Sequence, residues 1–163
     1  MRNVYLDYSA TTPVKEEVLK EMLPYFTEKF GNPSSLYDTG LEAKAAVTHA
    51  REQVAALIHA DPKEVFFTAG GTESDNWALF GACDKLKEKG NHIITTKIEH
   101  HAILHSCAFL EKHGFDVTYV GIDKDGRVNL KELEDAITDK TILISVMMVN
   151  NEIGTVQPIR EIA

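Results

Sequence analysis

Apolar positions along this chain follow two rhythms. In the first third, Val18, Leu19, Met22, Leu23 and Phe26 recur at the spacing of one helical face. They predict a helix over 14–29, kinked or shortened near its end by Pro24. Ahead of it, residues 4–8 read as extended and Ser9-Ala10-Thr11-Thr12-Pro13 as turn-rich, so 1–13 is expected to be an N-terminal extended segment. Phe30-Gly31-Asn32-Pro33-Ser34-Ser35 is a loop of turn formers. Leu41, Ala45, Ala46, Ala50, Val54, Leu57 and Ile58 then predict a long helix over 39–59.

From Val65 the pattern changes to short apolar runs alternating with amphipathic stretches. Strands are predicted at 65–68, 92–96, 116–121 and 141–149. Helices are predicted at 72–89, 102–113 and 130–137, the first two stopped by Gly90 and Gly114. Near-continuous apolar strands separated by helices imply an α/β fold, its mainly parallel sheet covered by helices on both faces. No internal repeat or low-complexity segment is present. Gln157-Pro158-Ile159-Arg160-Glu161-Ile162-Ala163 reads as a helix start with Pro158 in the first turn. A helix this short is marginal alone, so the sequence reads as part of a longer fold.

Composition narrows the function classes. With 44% hydrophobic and 26% charged residues, the chain has ordinary globular character and enough length for one sizeable core. A net charge of -8 argues against duplex nucleic acid and anionic membrane surfaces as partners, but leaves room for one locally basic pocket. No apolar run resembles a signal peptide or approaches the ~20 residues that span a bilayer. The 2 cysteines, Cys83 and Cys107, fall in predicted helices and make no disulfide framework, so a cytoplasmic location is expected.

Ligands of open parallel sheets sit beyond the carboxyl ends of the strands, which directs attention to three loops. After 65–68 comes Ala69-Gly70-Gly71-Thr72-Glu73-Ser74. Its glycines let backbone approach a ligand, its helix start presents unpaired N–H groups, and Thr72 adds a hydroxyl: together, a phosphate cradle. The same residues also suit a plain strand-to-helix turn with Thr72 as a cap. The loop matches neither a Walker P-loop nor GxGxxG. After 92–96 comes Lys97-Ile98-Glu99-His100-His101, where His100 either stacks on a flat ring and exchanges protons or is a surface histidine. His101 and His105 share a helical face, but no HExxH pattern or third ligand accompanies them, and no metal site is assigned. After 141–149, Asn150-Asn151-Glu152-Ile153-Gly154 offers either amides that orient a ligand oxygen or a simple turn. A phosphorylated aromatic cofactor would use all three loops at once.

Tyr5-Leu6-Asp7-Tyr8-Ser9-Ala10-Thr11-Thr12-Pro13, Phe30–Ser35 as quoted, Phe67-Thr68-Ala69-Gly70-Gly71-Thr72-Glu73-Ser74-Asp75-Asn76, Glu99-His100 and Val149-Asn150-Asn151-Glu152-Ile153-Gly154 stand in the order found in cysteine desulfurases of the NifS/IscS type. The chain resembles that family along nearly its whole length. The resemblance implies a fold-type I enzyme dependent on pyridoxal 5′-phosphate, of the class V aminotransferase kind and normally a homodimer. Such an enzyme releases sulfur from L-cysteine as an enzyme persulfide, leaves alanine, and supplies iron–sulfur cluster scaffolds or thio-modification partners. By position, Gly71 and Thr72 resemble the phosphate binders. His100 resembles the ring-stacking histidine that also moves protons, and Asn151 the amide near the cofactor's phenolic oxygen and the substrate carboxylate. Ala69 and Tyr37 depart from residues common in the family, serine and histidine.

The family's His-Lys pair bearing the cofactor lysine does not occur in this sequence, nor do its Asp-x-x-Gln segment and its loop with the nucleophilic cysteine. Residues 14–163 are therefore expected to form the N-terminal part of a truncated large cofactor-binding domain. The chain alone is expected to be inactive, with Cys83 and Cys107 as core filler. Other readings stay open: a non-catalytic product that dimerises or binds partners, a parent acting as a selenocysteine lyase or related enzyme, and a metal module at His101 and His105.

Overall fold

The computed structural model describes residues 3–163, so Met1 and Arg2 of the expected extended segment lie outside the described residues. The chain divides into two compact units, one ending at Phe67 and one beginning at Thr68.

In the first unit, residues 3–7 are irregular and the chain turns at Asp7, whose carbonyl accepts from the amides of Ala10 (3.2 Å) and Thr11 (3.4 Å). The predicted first helix forms as two pieces, α1 (Glu16–Met22) and α2 (Pro24–Thr27), because Pro24 cannot continue the ladder and instead opens the second piece. Its apolar stripe is not buried: Leu19 is 43% exposed and Phe26 69%. A long helix, α3 (Asp38–Ile58), follows as expected and ends with His59 in the left-handed region at φ 55°. The strand predicted at 65–68 does not form, although Val65 is extended at φ -97° and ψ 124°. The Val65 amide closes the 3-10 turn Pro62–Glu64 on the Pro62 carbonyl, and the Val65 carbonyl accepts from Arg51 Nε at 3.0 Å. The Arg51 guanidinium also covers the Phe67 ring at 5.3 Å. Both backbone groups of Val65 are thus committed outside any sheet.

The second unit carries the sheet. After α4 (Gly71–Leu86) come β1 (His92–Thr96), α5 (His101–Glu111), β2 (Asp116–Val120), α6 (Leu130–Ala136), β3 (Thr141–Ser145) and a short α7 (Ile159–Ile162). The strand order is β2-β1-β3 and both pairings are parallel, with Thr96 beside Val120 and Thr95 beside Ser145. Central β1 is buried along its length, and its alternation sends neighbouring side chains to opposite faces. Ile93 packs with Leu79, Cys83, Ile103, Cys107 and Leu110 of α4 and α5. Ile94 packs with Val120, Val128 and Leu133 on the α6 face. Successive crossovers leave β1 and β2 in opposite directions, and crossovers of one hand then place α5 and α6 on opposite faces. The expected doubly covered parallel sheet is thus observed.

Two boundaries differ from expectation. The apolar run at 141–149 leaves the sheet after Ser145, and Val149 pairs antiparallel with Val156 in a local turn. Helix α4 ends at Leu86, before Gly90. The need for glycine there is a close approach: a Cβ on Gly90 would lie 2.2 Å from the Lys140 carbonyl oxygen, which accepts from the His92 amide.

Candidate functional site

Helices α4 and α5 run side by side in the same direction. Asn76 meets Ser106 through a hydrogen bond from the serine hydroxyl, and further along Phe80 meets Phe109 edge to face at 5.6 Å. Because α5 begins where β1 ends, both helix N-termini lie at the carboxyl end of the parallel sheet. A cavity of about 700 Å³ opens between them, lined by Thr72, Asn76 and Phe80 of α4 and by His100, His101, His105 and Phe109 on the α5 side.

At the α4 end, Gly70 is the N-cap and supplies no side-chain acceptor. Among the described residues, the amides of Gly71, Thr72 and Glu73 find no acceptor, as the first turn of a helix dictates. A Cβ on Gly70 or Gly71 would meet nothing within 4 Å, so the side-chain positions of both glycines are unobstructed. Nearby polar groups shape the loop: Thr68 Oγ1 donates to the Gly70 carbonyl (3.1 Å), and Glu73 turns back to accept from the Ala69 amide (2.6 Å). Asn76 Nδ2 donates to the Thr72 carbonyl at 2.7 Å, holding the first turn from below. Open amides at the positive end of a sixteen-residue helix fit a phosphate monoester.

His100 is the N-cap of α5, and its Nδ1 accepts from the Ala102 amide at 3.1 Å. That bond occupies Nδ1 as an acceptor, so in the neutral ring the proton is assigned to Nε2. The ring is exposed and borders the cavity. His101 and His105 stack at 5.2 Å, and among the described residues no group of three or more metal-ligating side chains assembles.

The two asparagines after β3 differ sharply. Asn150 is buried; its Nδ2 donates to the Ile98 carbonyl (3.1 Å) and its Oδ1 accepts from the amides of Glu152 and Ile153. Asn151 is exposed, donates to the Glu152 carboxylate at 3.1 Å, and does not line the cavity. Of the residues picked out by sequence, Thr72 and His100 share the cavity, Gly71 opens the helix beside it, and Asn151 lies on the turn that Asn150 ties to the loop preceding His100.

Glu99 precedes His100 in the sequence, which gives it no role. It is buried, and its Oε1 accepts from both Thr96 Oγ1 and the Met147 amide, each at 2.8 Å. Burial pushes its carboxyl above the usual range, with the Asp75 charge adding to that; the two hydrogen bonds oppose it. Asn76, Phe80 and Phe109 were also missed as cavity walls. The signal existed in α4, where Thr72, Asn76 and Phe80 recur at every fourth position.

Residues 4–163 match the aminotransferase class-V family. This chain belongs to the class-V aminotransferase family. A class-V relative from Clostridium botulinum (strain Kyoto / Type A2), cysteine desulfurase IscS, is 61% identical over 161 residues, which cover 99% of this chain and 41% of the relative. A solved NifS-like protein superimposes with a TM-score of 0.96 at 43% identity, covering 99% of this chain and 44% of its own. The solved SspA–cysteine complex gives a TM-score of 0.92 at 44% identity over 97% of this chain and 46% of that one. The chain thus spans about two fifths of the length of such curated relatives. Its fold is that of the fold-type I cysteine desulfurases, as expected from the sequence motifs. Among the described residues, no helix is long and apolar enough to cross a membrane.

Proposed function

We propose that this chain supplies the phosphate- and ring-binding part of a pyridoxal 5′-phosphate site in a cysteine desulfurase. That enzyme takes sulfur from L-cysteine as a persulfide, leaves L-alanine and passes the sulfur to an iron–sulfur scaffold or thio-modification partner. Residues 14–163 belong, in this reading, to the N-terminal part of a large cofactor-binding domain of a cytoplasmic homodimer. The observation that carries the proposal is the placement of Thr72 and His100 on one cavity, at the N-termini of two parallel helices. Similarity to proteins named cysteine desulfurase supports the substrate class.

The residues divide the work by their chemistry. The amides of Gly71 and Thr72, with the Thr72 hydroxyl, hold the phosphate at the positive end of α4. His100 stacks on the flat ring, and its Nε2 holds or gives up the proton that Nδ1, occupied by the Ala102 amide, cannot exchange. Asn151 is assigned the orienting of cofactor and substrate oxygens by its place in the family motif alone, since its side chain donates to Glu152 and does not line the cavity. The cofactor, when bound, supplies the electron sink for chemistry at the substrate's α-carbon. The sequence contains no His-Lys pair, and Cys83 and Cys107 are both fully buried, so neither a covalent cofactor anchor nor a sulfur acceptor is assigned to these residues.

The direct test is titration of the isotopically labelled chain with pyridoxamine 5′-phosphate, whose amine cannot condense with lysines. Shifts should concentrate on the Thr72–Ser74 amides and the His100 ring. Thr72→Val should weaken binding roughly tenfold, the effect of one hydrogen bond to a charged group. Shifts centred elsewhere, or equal affinity in Thr72→Val and His100→Ala, would overturn the site. With pyridoxal 5′-phosphate and borohydride, intact mass should show no stoichiometric adduct at a single lysine.

A further inference from the structure

We infer that Glu99 is a positioning residue that sets the pose of His100; the inference rests on the cofactor-site reading above. Glu99 immediately precedes His100, yet its side chain points away from the cavity and into the sheet end. There its Oε1 takes Thr96 Oγ1 at the last position of β1 and the Met147 amide just beyond β3, both at 2.8 Å. A second bond runs between the same two loops, from Asn150 Nδ2 to the Ile98 carbonyl at 3.1 Å. The segments 96–99 and 147–150 are thereby joined by two bonds, at Glu99 and at the preceding Ile98.

The clamp explains two features. The Met147 amide is the donor a continuing β3 would have given to a neighbouring strand; here a side-chain carboxylate takes it, and the chain leaves the sheet toward Asn151. In the other loop, fixing Glu99 fixes the backbone on which His100 becomes the N-cap of α5. Among the described residues, the His100 side chain makes one hydrogen bond, accepting from the Ala102 amide, and it is exposed. Its pose is therefore inherited from the neighbour that is buried. A carboxylate with two donors on one oxygen holds two loops at fixed separation, and a shorter side chain could not span both.

Three variants separate this role from general support of the fold. Glu99→Gln keeps an acceptor at the same reach, Glu99→Asp keeps the charge but is one methylene too short for the Met147 amide, and Glu99→Leu removes the acceptor. The first readout needs no ligand: ring ¹⁵N shifts of His100 and exchange of the Ala102 amide, with the Ile94 amide as internal control for the fold. In Glu99→Asp and Glu99→Leu the His100 signature should move and Ala102 exchange should accelerate while Ile94 stays protected; Glu99→Gln should match the parent. The second readout is affinity for pyridoxamine 5′-phosphate, expected to fall roughly tenfold in Glu99→Asp, a usual coupling between residues of one network. The same substitution placed on His100→Ala should add less than about twofold.

An unchanged His100 signature in Glu99→Asp would overturn the inference, as would an undiminished loss of affinity in the His100→Ala background. If the parent chain does not bind the probe, the cofactor-site reading fails by itself, and the His100 ring signature still decides whether Glu99 sets its pose. Should Glu99→Leu fail to fold, the pair Glu99→Gln and Glu99→Asp carries the test.

Discussion

The two compact units were built from similar sequence material and reach different ends. Up to Phe67, helical spacing is as clean as anywhere in the chain, yet among the described residues the buried apolar side chains are only Ala43, Ala55 and Val65. From Thr68 onward, two apolar clusters sandwich a fully buried strand. The contrast extends to polar groups. His92, Thr95, Thr96, Glu99, Ser106, Asn150 and Gln157 are the buried polar residues among those described, and every one lies in the second unit. Each has hydrogen-bond partners: His92, for example, meets Thr141 and Thr118 hydroxyls at 2.8 and 2.9 Å through its two ring nitrogens. Periodicity decides that a helix forms, whereas burial depends on what lies across from it. Buried polar groups appear only where a packed sheet supplies partners for them.

The largest expected effect tests that contrast directly. Ile94→Ala, at a side chain with no exposed surface, should cost ~2–5 kcal/mol in urea unfolding, through lost burial and the cavity left behind. Leu19→Ala, on the exposed stripe of α1, should stay within ~0.5 kcal/mol. Comparable losses at both positions would mean that the α1 stripe is covered in solution.

A smaller effect concerns the thiols. Cys83 and Cys107 belong to the cluster between the sheet and helices α4 and α5, and burial pushes the Cys107 thiol up to about 11 and raises that of Cys83. A disulfide reagent at pH 8 should label neither in the folded chain and both in denaturant, with rates differing by more than about 100-fold, because reaction must wait for opening. Prompt labelling of Cys107 in the native chain would show that this half of the molecule is less firmly packed than its burial indicates.

Most of this architecture was readable from residues alone. The strands at 92–96 and 116–121, the helix between them and the parallel pairing follow from side-chain period and run length, which are local properties. The failures are non-local. Val65-Phe66-Phe67-Thr68 has the composition of a strand, but the Val65 carbonyl goes to Arg51, which sequence pattern does not reveal. The run at 141–149 is apolar to its end, and it leaves the sheet where Glu99, far back in the chain, takes the Met147 amide. Gly90 reads as a helix stop, whereas the constraint is the Lys140 carbonyl. At the candidate site, Gly71, Thr72 and His100 stood out because helix starts after apolar runs are legible in sequence, whether or not the run becomes a strand. Asn150 and Asn151 were indistinguishable as letters; only burial separates the one that ties the turn from the one left exposed.

The smallest expected effect sharpens the polar side of the comparison, at Glu99. Burial is the leading cause of its raised carboxyl pKa, ahead of the bonds from Met147 and Thr96 that pull the other way. A carboxyl whose folded pKa lies above its unfolded value binds its proton more tightly in the folded state. Its contribution to stability is therefore full below the ordinary glutamate range and lost as pH rises through the folded pKa. Above the folded pKa the ionised side chain carries a desolvation cost that Glu99→Gln removes while keeping an acceptor for the Met147 amide. The urea midpoint of Glu99→Gln should then sit at or above that of the parent at pH 7, and the gap should close as pH falls toward 4, where the parent regains the difference. If the parent instead loses ground to Glu99→Gln on acidification, the two hydrogen bonds outweigh burial, and the ionised carboxylate is itself a stabilising element of the clamp between the loops.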